Sequence, residues 1–222
     1  MASTFKTLLN NDVVSTRSML HEAIPITGTI ASGTYTNGVG AEYNIKNYSH
    51  GMFQSVYDYP YLSSSANHIF DLTVGYSSTS EFSGAASVQN AKKINIYNEM
   101  AQILVGYDAT GSIREFDRDG DLSDGDKLTS VVFLNFSRLL AKDEIKKESF
   151  SLTFLTGGAI AVPTKPLLLQ DTNALSSYKI NSPAGEYGLL YTGSADGTGP
   201  AVADATVPSG LVFYQAGIAV VT

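Results

Sequence analysis

The chain has no cysteine. That excludes disulfides, thiolate nucleophiles and cysteine-ligated zinc. Charge is sparse too: Asp, Glu, Lys and Arg make up 16% of the 222 residues, and acids outnumber bases to leave a formal charge of −7. A nucleic-acid binder would carry a basic face, and none is evident. The one basic group, Lys142, Lys146 and Lys147, is interleaved with Asp143, Glu144 and Glu148, and reads as a solvated helical turn with charges paired along its length. No segment approaches the roughly 18 apolar residues of a membrane span. The opening MASTFKTLLNNDVV lacks the apolar core and cleavage pattern of a secretory signal, so the expectation is a soluble protein folded in a cytoplasm, with no membrane or nucleic-acid partner.

Catalytic patterns are equally scarce. The three histidines, His21, His50 and His68, stand in no HExxH arrangement and read as structural hydrogen-bonders. No G-x-S-x-G elbow accompanies them. Gly28, Gly33, Gly38 and Gly40 match neither a phosphate-binding P-loop nor a dinucleotide fingerprint, and turn duty accounts for them. Asp58 and Asp71 are the carboxylates a polysaccharide hydrolase would use, but such chemistry needs two carboxyls at a set separation, which spacing along the chain does not supply. Asp117, Asp119 and Asp121 evoke a calcium loop. The EF-hand requires Gly at position 6 and an acid at position 12, where a count from Asp117 finds Leu122 and Leu128. They remain weak cation candidates. The expectation is a non-enzymatic protein without cofactor.

What the chain does have is an apolar share of 43%, adequate for a core, and the low charge argues against global disorder. It also has an aromatic-dense, charge-poor run from Asn44 to Tyr76, NIKNYSHGMFQSVYDYPYLSSSANHIFDLTVGY. Tyrosine brings large contact area with a polar tip that can stay wet. Tyr48, Phe53, Tyr57, Tyr59 and Tyr61 are the interface candidates.

The expected fold is α+β, mainly β: an antiparallel sheet or sandwich with one main packed helix over about 90–105. Ile94, Tyr97, Ala101 and Leu104 fall on one face of that helix, Met100, Ile103 and Tyr107 widen it, and Gly106 caps its end. Residues 1–23 read as an N-terminal arm or short helix, and 24–222 as a single domain. Thr36-Asn37-Gly38 marks a hairpin, and Asp58-Tyr59-Pro60-Tyr61 a turn. Strands are expected at 68–75, 129–140, 149–155 and 186–192, with a short one at 178–181. The segment 142–147 reads as a helical turn, and 157–177 and 193–208 as loop. LVFYQAGIAVVT, 211–222, reads as one core strand, either locked into a sheet or followed by more chain in nature.

Several long strings carry a resemblance: NYSHGMFQSVYDYPYLSSSANHIFDLTVGY, NAKKINIYNEMAQILVGYD, LLAKDEIKKESFSL, SSYKINSPAGEYGLLYT and the terminal LVFYQAGIAVVT. From about His21 onward the chain resembles virion structural proteins of T4-like contractile-tailed phages, especially those infecting marine cyanobacteria. The resemblance implies a non-enzymatic component of the tail, baseplate or neck. Its partners would be other virion proteins and copies of itself, and its location the virion, assembled in the host cytoplasm. It also implies a natural chain running past Thr222. It supplies no catalytic residues. The loops 111–127 and 193–209 depart most from the family pattern. The alternative is a receptor- or glycan-binding fibre module, with the tyrosines stacked on sugar rings.

Overall fold

The computed structural model describes residues 23–24, 44–84, 88–123, 125–137, 143–156, 165–193 and 208–222. Of the proposed arm at 1–23 only Ala23 is among them, and the hairpin at 36–38 lies outside them. In chain order come β1 (Ala23–Ile24), β2 (Ile45–Asn47), β3 (Gln54–Tyr57), β4 (His68–Tyr76) and helix α1 (Val88–Leu104). Then follow β5 (Phe116–Asp117), β6 (Lys127–Leu128), β7 (Ser130–Phe136), β8 (Glu144–Ile145), β9 (Ser151–Thr156) and β10 (Lys165–Gln170). The chain ends with the short helix α2 (Ala174–Ser177), β11 (Tyr187–Thr192), β12 (Gly210–Phe213) and β13 (Ile218–Val221).

Nine strands form one sheet in the order β2-β3-β4-β7-β13-β12-β11-β10-β9, and every pairing in it is antiparallel. The fold is therefore mainly β with one principal helix, as the sequence pattern predicts. β1 and β8 pair in parallel beside this sheet, and β5 and β6 form a small hairpin.

Central strands alternate between two buried faces, which is why they read as continuous apolar runs. On one face Val131, Phe133, Leu211, Phe213, Val220 and Tyr187 pack against Ile96, Tyr97, Ala101 and Leu104 of α1. On the other, Leu134, Phe136, Leu190, Val212, Ala219 and Val221 meet Ile145, Phe150, Leu169 and Tyr214. The helix stops where Gly106 turns left-handed (φ 76°) and donates its N–H to Ala101 O at 2.9 Å, a glycine C-terminal cap.

The structure corrects five readings. The expected stripe holds at Tyr97, Ala101 and Leu104, but Ile96 is buried in place of Ile94, which is only half-buried, and the expected widening fails at Ile103 and Tyr107, which are 62% and 53% exposed. The cause is close approach to β4. A Cβ on Gly75 would stand 3.2 Å from the Tyr97 Cα, so the helix beds down at Tyr97 and turns Ile103 outward. The terminal strand is two strands, β12 and β13, folded on each other around Gly217, and β13 is held between β7 and β12. The supposed loop 157–177 contains β10 and α2. The helical turn expected at 142–147 contains β8, whose Ile145 is fully buried and whose N–H donates to Tyr214 O. β3 lies inside the aromatic run, where no strand is expected; its QSVY carries too short an alternation to be seen.

Candidate functional site

The aromatic run folds into β2, β3, β4 and the turns between them. Gly51 turns left-handed (φ 66°) after β2, its N–H donating to Tyr48 O at 3.1 Å. That turn brings three rings together. Tyr48 stacks on His50 with centroids 5.2 Å apart and 9° between planes, and Phe53 tilts against both at 5.0 and 5.1 Å. Lys46 Nζ lies 5.1 Å from the Tyr48 ring centre, a cation–π distance. Lys93, reaching from α1, donates to Met52 O at 3.2 Å and so ties this turn to the helix. Burial lowers the affinity of Lys93 for its proton.

A second group forms across β3 and β4. Tyr57 meets His68 edge-on at 5.5 Å and Tyr61 at 6.3 Å. The two groups are joined by a hydrogen-bond relay. Ser55 Oγ donates to Asp71 Oδ1 at 2.6 Å, His68 Nε2 donates to the same oxygen at 2.9 Å, and Tyr48 OH, 3.2 Å from Ser55 Oγ, donates to it. Ser55 and Asp71 are cross-strand partners, so the relay exists only in this register. The two ring groups thus form one strip across β2, β3 and β4, linked by hydrogen bonds and not by ring contacts.

The structure thus brings Tyr48 and Phe53 into one group and Tyr57 and Tyr61 into the other. Tyr59 belongs to neither, standing 37% exposed at the turn, and Phe53 is 38% exposed. Tyr48, Tyr57 and Tyr61 are half-buried. The expected turn is present: Asp58 accepts from Asn67 N at 2.6 Å and Asn67 Nδ2 at 2.9 Å, closing it, and these donors hold the Asp58 carboxyl below its ordinary range. Beside the first group opens a cavity of about 420 Å³, walled by His50, Phe53, Asp71, Glu99, Met100 and Asn135. Tyr57, Tyr59 and Tyr61 are not among its walls.

Chemically the strip is suited to contact. Ser55 and His68 both address Asp71, whereas a serine nucleophile needs its hydroxyl on the imidazole. Asp58 is spent on a turn. The relay and the cavity were not legible in the sequence, since Ser55, His68, Asp71 and Glu99 meet only through strand register and helix docking.

The Asp-rich segment is the loop of the β5–β6 hairpin. One carboxylate oxygen from each of Asp117, Asp119 and Asp121 lies within 4.8 Å of the others. Among the described residues no helix is long and apolar enough to cross a membrane. Comparison with protein-family models, with curated proteins and with solved structures returned no match.

Proposed function

We propose that this chain is a non-enzymatic structural component of a tailed-phage virion, in the tail, baseplate or neck, where it contacts other virion proteins and copies of itself. The observation that carries a contact role is the pair of hydrogen-bond-linked ring groups on β2–β4, with Phe53 of the first group and Tyr59 at the neighbouring turn each more than a third exposed. Tyrosines held by ring contacts, and Tyr48 also by a hydrogen bond, with part of each ring open, are suited to interface hot spots, because little side-chain freedom is lost on docking. Symmetric repetition in a particle would multiply each such contact. The phage assignment itself rests on the sequence resemblance.

The test is particle assembly. In a map of the assembled virion, Tyr57, Tyr59 and Tyr61 are expected to be buried against neighbouring chains. A Phe53→Ser/Tyr59→Ser double variant is expected to fold normally, because both side chains are exposed, yet to enter particles at least about tenfold less well, a loss of ~1.4 kcal/mol or more. Absence of the wild-type chain from purified particles would refute the reading.

A second reading, glycan binding, is favoured by the cavity, where Phe53 stands with the polar groups of Asp71, Glu99 and Asn135. That pattern of a flat apolar wall with a few polar groups is one way to bind a small polar ligand. The same double variant discriminates. Normal incorporation into particles with lost adsorption to host-surface polysaccharide supports the second reading over the first.

A further inference from the structure

Asp117 is fully buried, and its Oδ1 has no hydrogen-bond partner among the described residues. Its Oδ2 accepts from Lys127 Nζ at 2.7 Å. A buried carboxylate oxygen left without a donor is costly and uncommon. Here the same carboxylate also has two others for neighbours, those of Asp119 and Asp121, both exposed and clustered with it within 4.8 Å. Like charges at that separation repel unless something positive lies between them. Lys127 answers one of the three charges. Two remain when all three are ionised, which is the charge of one divalent cation.

The loop is shaped in advance. Gly120 adopts a left-handed conformation (φ 72°). Its carbonyl accepts from Asn181 Nδ2 at 2.9 Å and lies 2.9 Å from the buried Tyr187 hydroxyl, so the middle of the loop is pinned to β11 and the segment before it. Asp119 Oδ1 accepts from Asp121 N at 3.0 Å, and Asp121 Oδ1 from Ser123 N at 2.8 Å. Asp119 and Asp121 are thereby each oriented through Oδ1.

We propose that Asp117, Asp119 and Asp121 bind one calcium ion at the β5–β6 loop, with the unpartnered oxygen of Asp117 as its innermost ligand. Calcium takes oxygen ligands at about 2.4 Å in irregular cages, so ligands on opposite sides of the ion stand about 4.8 Å apart. All-carboxylate ligation suits a hard cation, and a cage completed by water is characteristic of partly exposed loops. The site is not an EF-hand, since positions 6 and 12 counted from Asp117 are leucines. Its support comes from β11 through Tyr187 and Asn181.

The experiment is thermal unfolding and calorimetric titration of the whole chain, stripped with EDTA and then given calcium or magnesium chloride. Millimolar calcium is expected to raise the unfolding midpoint by several degrees, reversed by EDTA, because a ligand that binds only the folded state stabilises it. Asp119→Asn and Asp121→Asn are each expected to weaken calcium binding about tenfold or more. Both positions are exposed, so both variants fold, and without calcium their unfolding midpoints equal or exceed the wild type, since each removes one of the mutually repelling charges. Absence of a midpoint shift and of heat with calcium would overturn the proposal. So would a shift of undiminished size in both variants. An equal response to magnesium at the same concentration would overturn the assignment to calcium.

Discussion

Buried polar tips give this protein much of its specificity at the scale of single residues. Tyr97 is almost wholly enclosed. Its hydroxyl donates to Leu128 O at 2.8 Å and accepts from Phe116 N at 3.1 Å, stitching the β5–β6 hairpin to α1. Tyr97→Phe keeps the ring and removes both hydrogen bonds of the stitch. The expected cost is about 1–3 kcal/mol, read from urea unfolding. Asp171 is similarly enclosed and accepts from Glu148 N, Phe150 N and the Tyr214 hydroxyl. Burial nevertheless raises its carboxyl to about 6, the three donors pulling the other way. Because the folded value lies above the unfolded one, the folded chain holds the proton more tightly. The contribution is complete below about pH 4 and is lost as pH rises through about 6. Relative to Asp171→Asn, the wild type is therefore expected to lose on the order of 2 to 3 kcal/mol between those limits, measured by denaturant unfolding at a series of pH values. A flat difference between the two proteins would refute this.

Among the elements, the contact between α1 and β4 sets where the helix lies. Gly75 allows it: a Cβ there would meet the Phe133 ring at 2.6 Å and Tyr97 Cβ at 3.1 Å. Gly75→Ala is expected to push the helix off the sheet and destabilise by about 1–3 kcal/mol, with a lowered denaturation midpoint as the readout. Much of the element pattern was legible beforehand. SVVFLNF of β7 is β-branched and apolar throughout, HIFDLTVGY of β4 alternates, and Gly106 marks a helix end. What failed did so for physical reasons. LVFYQAGIAVVT is apolar nearly end to end, so its two strands look like one, and only the backbone reversal at Gly217 separates them. Residues 165–170 give KPLLLQ, an apolar run of three whose strand character comes from pairing with β9 and not from any period of its own.

Across the whole molecule, β3 and β4 share one edge region of the nine-stranded sheet, and the aromatic strip is a property of that region. Five interface candidates were legible as aromatics in a charge-poor run. The division of four of them into two ring groups, joined through Ser55, Asp71 and His68, was not. The assembly prediction belongs at this scale, since incorporation into particles tests the strip as a unit while unfolding experiments test its parts. The acidic loop makes the same point in reverse. The spacing of its aspartates fails the one calcium pattern that could be checked along the chain, yet folding places three carboxylates together with one of them buried and short of a donor.

The amino-acid sequence by itself determined that this is a mainly β protein with one principal helix, free of thiol chemistry and unusually aromatic between Asn44 and Tyr76. Those are consequences of composition and local period, which act over a few residues. Tertiary structure decided the strand order, the docking of α1 on Gly75, the hydrogen-bonded link between the ring groups and the convergence of Asp117, Asp119 and Asp121. Each of these depends on register and close packing between segments far apart in the chain, where a shift of one residue would turn Ser55 or Asp71 to the opposite face of the sheet.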